Sequence, residues 1–103
     1  PGGSTIITSV LQTILNIYEY GMPVQKAVNS PRFHHQWFPD NIVFEPNAFG
    51  EKLIKDLKRM GYKIDPSKNK ILGRVDAIYI NQDNLLTAAA DLRGDDNAQY
   101  LKE

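Results

Sequence analysis

The feature that most constrains this chain is a wide apolar stripe that begins directly after two adjacent glycines. From Ser4 onward, Ile6, Ile7, Val10, Leu11, Ile14, Leu15 and Tyr18 recur at i, i+3, i+4 and i+7. That spacing predicts a helix over residues 4–20 with one face packed against a core. Ser4 is read as its N-cap, and Gly21 is placed to end it in the left-handed conformation. Gly2 and Gly3 put bare backbone N–H groups ahead of the helix N-terminus. Together with the helix dipole, such groups suit a negative oxygen, which is the layout of an oxyanion hole. Without the capped helix behind it, an isolated Gly-Gly would read as a flexible terminus.

Downstream, Pro23 fits the first turn of a short helix through Val24, Ala27 and Val28. Pro31 stops that helix and biases Ser30 towards an extended backbone. Ile42 to Glu45 reads as a strand between Pro39-Asp40-Asn41 and Pro46. Asn47 is read as the cap of a helix over 48–60 with Leu53, Ile54, Leu57 and Met60 inside, Glu51 and Lys55 pairing outside, and Gly61 at its end. Tyr62 to Asp65 is a brief strand before the polar loop Pro66-Ser67-Lys68-Asn69-Lys70. Arg74 to Asn81 alternates, Gln82-Asp83-Asn84 turns, and Leu85 to Ala90 returns, which predicts a hairpin. The alanines of the return strand are helix-friendly, but small residues also suit a sheet face lying close under a helix. The tail from Asn97 is read as frayed.

The chain of 103 residues is expected to form a single domain, 1–103, large enough to bury a core without staples. Twelve basic residues balance twelve acidic ones, so charge gives no reason to propose nucleic acid or an anionic membrane as partner. With no cysteine, disulfides and thiolate metal sites are excluded, and the compartment stays open. The stretch from Ile6 to Leu15 is broken by Thr8, Ser9, Gln12 and Thr13, so nothing here is expected to span a bilayer. The start at Pro1, inside a motif and without methionine, is read as that of a cut-down piece.

Three blocks in order carry a resemblance: PGGS-T-I-I-T-S-V-L-Q, Y-G-M-x-x-Q-x-A-V-x-x-P-R-F-H-H-Q-W, and A-A-D-x-R-G-D. Together, from Pro1 to about Asp95, they resemble the C-terminal end of the gamma-glutamyltranspeptidases. The resemblance implies an α+β fold, the C-terminal portion of the αββα sandwich of the N-terminal-nucleophile hydrolases. In it, helices 4–20 and 48–60 would cover a mostly antiparallel sheet of 42–45, 74–81 and 85–90. It further implies that the parent transfers or hydrolyses the gamma-glutamyl group of glutathione and related amides, without a cofactor. An N-terminal threonine attacks the gamma-carbonyl, its own alpha-amine serves as base, and an acyl-enzyme goes to water or to an amino-acid acceptor. That threonine and the residues gripping the substrate lie upstream of this chain. Gly2 and Gly3 match the glycines whose N–H groups meet the oxyanion, so they are the catalytic residues expected here. The implied partners are the upstream part of the small subunit, the large subunit and gamma-glutamyl compounds. The implied location is periplasmic or extracellular, and the chain alone is expected to be inert.

Other motifs have blander readings. Arg32-Phe33-His34-His35-Gln36-Trp37 offers paired histidines, but sequence neighbours point apart and no carboxylate sits at a familiar metal spacing. A structural role, with Phe33 and Trp37 packing and the histidines hydrogen-bonded, is expected. Asp91-Leu92-Arg93-Gly94-Asp95-Asp96 contains the integrin tripeptide and enough carboxylates to tempt a cation; a salt-bridged loop closing the sheet is the reading adopted. The resembled family more often has proline at Leu92. A free terminal Pro1 could act as a base only if it were the mature terminus. Two rival functions stand beside the main one: an acylase of the same superfamily acting on another amide, and a non-catalytic domain that self-associates through bare sheet surface.

Overall fold

Left-handed glycines bracket the first helix in the computed structural model, which describes residues 2–67 and 70–101. Gly3 has φ +56° and Gly21 φ +63°. A 3-10 turn, Gly3–Thr5, leads into α1, Ile6–Tyr18. Ser4 lies inside that turn and so cannot be its cap, since a capping residue needs a non-helical backbone. Gly2 holds the cap position, and the Thr5 hydroxyl donates back to the Gly2 carbonyl at 2.7 Å. Pro23 then precedes α2, Val24–Asn29, and Ser30 is extended (φ −58°, ψ 142°) before Pro31.

The described residues form two compact units, one from the first nine residues and 31–73, the other from 10–30 and 74 onward. In the second unit, β3 (Ala77–Ile80) and β4 (Leu86–Ala89) make the expected antiparallel hairpin, with Ala77 opposite Ala89 and Ile80 opposite Leu86. Asn84 at φ +59° supplies the left-handed position of the turn, and the Asn81 side chain accepts the N–H groups of Asp83 and Leu85. The helix that packs on this hairpin is the short α2: Val24, Val28 and Ala89 are buried together, flanked by Ile17, Ala77 and Tyr79. Tyr18 meets Tyr79 edge to face at 6.1 Å. The small Ala89 lets a helix lie close to the strand, which decides strand over helix for the alanine run.

In the first unit, β1 (Phe33–His34) and β2 (Val43–Phe44) pair antiparallel. Ile42 makes a parallel bridge to Ile64. Here the structure departs from the single sheet expected of 42–45, 74–81 and 85–90. Residues 43–44 pair with 33–34 in a sheet of their own, separate from the hairpin. The strand at 33–34 is only two residues long, too short to show an alternating pattern in the sequence. Phe33, Phe44 and Phe49 cluster with ring centroids 5.1–6.3 Å apart. Trp37 does not join them; it is 84% exposed.

Helix α3 spans Glu51–Arg59 and starts later than expected. Asn47 is left-handed (φ +55°) in a preceding turn, and Gly50 takes the cap position without a side-chain bond. Its surface pair is Asp56 with Arg59, one turn from the Glu51–Lys55 pair expected. Ile54 and Leu57 are half-buried, whereas Leu53 and Met60 stay exposed.

Burial along α1 is inverted relative to its hydropathy. Ser9 and Thr13 are 1% and 4% exposed, while Ile7, Leu11 and Tyr18 are 77%, 52% and 68% exposed. The buried hydroxyl of Ser9 is satisfied by the Leu72 carbonyl, so the polar face is the one this chain covers. Ile78, Ile80 and Leu86 of the hairpin are likewise exposed. Among the described residues no helix is long and apolar enough to cross a membrane.

The loop after β4 is closed by charge. Asp91 and Arg93 pair at 2.9 Å, with side chains 0% and 9% exposed. Asp91 also accepts the N–H groups of Val75 and Arg93, while the Arg93 guanidinium donates to the carbonyls of Val28 and Ser30. Burial opposes ionisation of Asp91, but these hydrogen bonds and the guanidinium outweigh it and hold the carboxyl below its ordinary pKa. A depressed carboxyl stabilises the fold above the ordinary value and loses that contribution as pH falls through the lowered one. Asp91→Asn, which leaves Arg93 uncompensated, should therefore cost roughly 3 kcal/mol at neutral pH, and the deficit should shrink in acid melts below about pH 4. Ala89→Leu, overfilling the space under α2, should cost about 1–3 kcal/mol in a denaturant melt.

Candidate functional site

Residues 2–5 bring together a glycine pair, a tight turn and a helix start. Each glycine is required for a different reason. At Gly2 (φ 163°, ψ −9°) there is no room for a side chain. A Cβ there would lie 2.9 Å from the Thr5 hydroxyl and 3.0 Å from the Cα of Gly73. At Gly3 the space is open, with nothing within 4 Å of a Cβ, and the requirement is the left-handed φ. The carbonyls of both are used inside the turn: Gly2 O accepts Thr5 N at 3.0 Å, and Gly3 O accepts Ile6 N. Among the described residues, the N–H groups of Gly2 and Gly3 donate to no acceptor. Two free donors beside the positive end of a 13-residue helix, with open space at the second, can receive an anionic oxygen.

Beneath the pair lies a buried polar layer. Arg32 is 1% exposed and its Nη1 donates to the Leu72 carbonyl at 2.9 Å and the Gly73 carbonyl at 3.4 Å. The backbone N–H of Arg32 donates to the Glu45 carboxylate at 2.9 Å, and Glu45 is itself 8% exposed. Sequence reasoning singled out neither Ser9, Glu45 nor Gly73. A lone glycine between the apolar Ile71-Leu72 and the hairpin was the available signal for close backbone approach.

The two histidines go separate ways. His34 is buried, with Nδ1 2.7 Å from the Thr8 hydroxyl and Nε2 2.8 Å from the Gln36 amide oxygen. His35 Nε2 lies 3.1 Å from Asp40, and its Nδ1 accepts the Trp37 N–H. Among the described residues no group of three or more His, Cys, Asp or Glu is placed to hold a metal. The arginine of the Arg-Gly-Asp tripeptide is turned inward onto Asp91 and two carbonyls. Pro1 lies outside the described residues, as do Lys68 and Asn69 of the polar loop.

Comparison with known proteins gives the family. The family model described as Gamma-glutamyltranspeptidase matches residues 1–101. The chain is 40% identical over 97 residues to a glutathione hydrolase proenzyme of Escherichia coli, covering 94% of this chain and 16% of that protein. It is 34% identical over 95 residues to an acylase ACY 1 proenzyme of a Pseudomonas strain, covering 92% of this chain and again 16% of the relative. A gamma-glutamyltranspeptidase of Pseudomonas nitroreducens solved with L-DON superposes with a TM-score of 0.86 at 36% identity, over 99% of this chain and 53% of that one. The chain thus spans about half of that solved chain and a sixth of the proenzymes. With its helices and antiparallel strands in the same α+β arrangement as solved N-terminal-nucleophile hydrolases, and with matched sequence throughout, the chain belongs to the gamma-glutamyltranspeptidase family.

Proposed function

We propose that this chain is the C-terminal part of a gamma-glutamyltransferase or glutathione hydrolase and supplies its oxyanion-binding glycines. The observation that carries the reading is the pair of N–H groups at Gly2 and Gly3, without an acceptor among the described residues and set at the head of α1 with open space over Gly3. An upstream threonine attacks the gamma-carbonyl of a gamma-glutamyl amide. As the carbonyl oxygen becomes anionic, the two N–H groups donate to it. The tetrahedral species collapses with departure of the amine, and the acyl-enzyme passes to water or to an amino-acid acceptor. A fixed donor of this kind is worth on the order of 10²–10³ in rate, because it is stronger towards the anion than towards the neutral carbonyl.

The partners in this reading are the upstream part of the small subunit and the large subunit of the same precursor. The uncovered stripe of Ile7, Leu11, Ile14 and Tyr18, and the bare outer residues Ile78, Ile80 and Leu86, support such partners. The location proposed is periplasmic or extracellular. The 34% identity to an acylase favours one second reading, the same oxyanion chemistry applied to an amide without the gamma-glutamyl group. The full-length protein should cleave a gamma-glutamyl anilide well above an acyl anilide lacking the alpha-amino and alpha-carboxyl groups; the reverse preference makes it an acylase.

Two results are expected. The isolated chain should not hydrolyse glutathione, and activity should appear when the upstream segments are supplied. In the full-length protein Gly3→Ala should lower kcat by about 10²-fold with little change in KM. A left-handed alanine costs roughly 1–2 kcal/mol and puts a methyl where the carbonyl approaches. Wild-type turnover in that variant would remove Gly3 from the chemistry.

A further inference from the structure

We infer that Gly73 is a positioning residue that fixes the Gly2–Gly3 turn from below, and that Arg32 and Ser9 hold it there. The inference rests on the oxyanion reading of Gly2 and Gly3, and names what sets their place.

Three observations converge on Gly73. First, it is the surface on which Gly2 sits: the Cα of Gly73 is 3.0 Å from the position a Gly2 Cβ would take. The two backbones therefore touch without intervening side chains. Second, Gly73 has no freedom to become anything else. It is left-handed (φ +68°), and a Cβ would lie 2.7 Å from the Ser9 Oγ and 3.2 Å from the Ser9 Cβ. Ser9 is 1% exposed on α1 and cannot swing into solvent. Third, the segment is tied on both sides. Ser9 Oγ donates to the Leu72 carbonyl at 3.1 Å, and Arg32 Nη1 donates to the Leu72 and Gly73 carbonyls at 2.9 and 3.4 Å. Thr5 completes the contact from above, its hydroxyl bonded to Gly2 O and 3.6 Å from the Gly73 Cβ position.

Placement decides what this does. A donor aimed at a developing oxyanion works only if it is held within a fraction of an ångström, and a misplacement of about 1 Å costs on the order of 10²-fold. The turn at residues 2–5 is short and carries no side-chain cap. Gly2 is seated between the Thr5 hydroxyl, which belongs to the turn itself, and the Cα of Gly73, which is the contact from outside it. Any side chain at 73 must push against Ser9 or lift Gly2, and either movement re-aims the free N–H groups. Residue 73 thus acts on the reaction through backbone position, touching no substrate.

The test uses the full-length protein with kcat normalised to titrated active sites. Gly73→Ala should lower kcat about 10- to 100-fold while KM for a gamma-glutamyl anilide stays within about threefold. Affinity for a gamma-glutamyl boronate, which becomes a tetrahedral anion, should fall in parallel with kcat, and affinity for the ground-state competitor glutamate should not. Arg32→Lys, which keeps the charge but replaces the rigid planar group whose Nη1 meets both carbonyls with a flexible ammonium, should show the same split to a smaller degree. It also decides the question if Gly73→Ala fails to fold. Unchanged kcat and boronate affinity in the folded variants would overturn the inference while leaving the oxyanion reading intact, provided Gly3→Ala still loses turnover. If Gly3→Ala keeps full turnover, the oxyanion reading fails first and this inference falls with it. A loss confined to protein yield, with normal kcat per titrated site, would also overturn it.

Discussion

A buried guanidinium organises the first unit of this molecule. Arg32 follows Pro31, which keeps its neighbourhood extended, and its side chain is 1% exposed. Burying a charged group without partners costs many kcal/mol, so its surroundings must be built to receive it. They are: its Nη1 is spent on backbone carbonyls at 72 and 73, and its own N–H on Glu45. Those bonds join β1, the end of β2 and the segment leading to the hairpin, three pieces of chain far apart in sequence. The Gly2–Gly3 turn rests on one of the segments so tied.

The second unit works by the opposite means, with small apolar residues where the first uses polar ones. Val24 and Val28 of α2 close over Ala89 of β4, and the ladder beneath is a regular four-residue hairpin. Its charged pair, Asp91 with Arg93, sits after the last strand and ties the chain back to the carbonyls that end α2. Here charge finishes a fold that apolar packing has already made.

How much of this could be read beforehand depended on whether a signal was local. Glycines ended their helices as expected at Gly21 and Gly61, because left-handed closure is a property of one residue. The hairpin was legible from alternation and a polar turn. The pairing of 33–34 with 43–44 was not, since two-residue strands carry no periodicity and non-local partners are not written in either segment. The helix caps were mistaken for the same kind of reason: Ser4 and Asn47 are good capping residues in isolation, but backbone geometry put glycines at both cap positions. Hydropathy foretold the apolar stripe of α1 correctly and its burial wrongly, because burial depends on what covers a face. At the candidate site the glycine pair was legible, and its support was not: Gly73 is 71 positions from Gly2, and only folding brings them to contact.

The left-handed geometry of Gly3 has a further consequence, in terms of chirality. At φ +56°, with nothing within 4 Å of a Cβ, the position disfavours L-residues by handedness and not by crowding. A D-residue prefers that same region of backbone space, since it is the mirror image of an ordinary helical residue. D-alanine introduced at position 3 by chemical ligation would therefore relieve the backbone strain that an L-residue meets there, while setting its methyl on the opposite side of the Cα. The backbone shape of this turn and the room it leaves for an incoming carbonyl, which glycine supplies together, are separable by a single inversion of configuration.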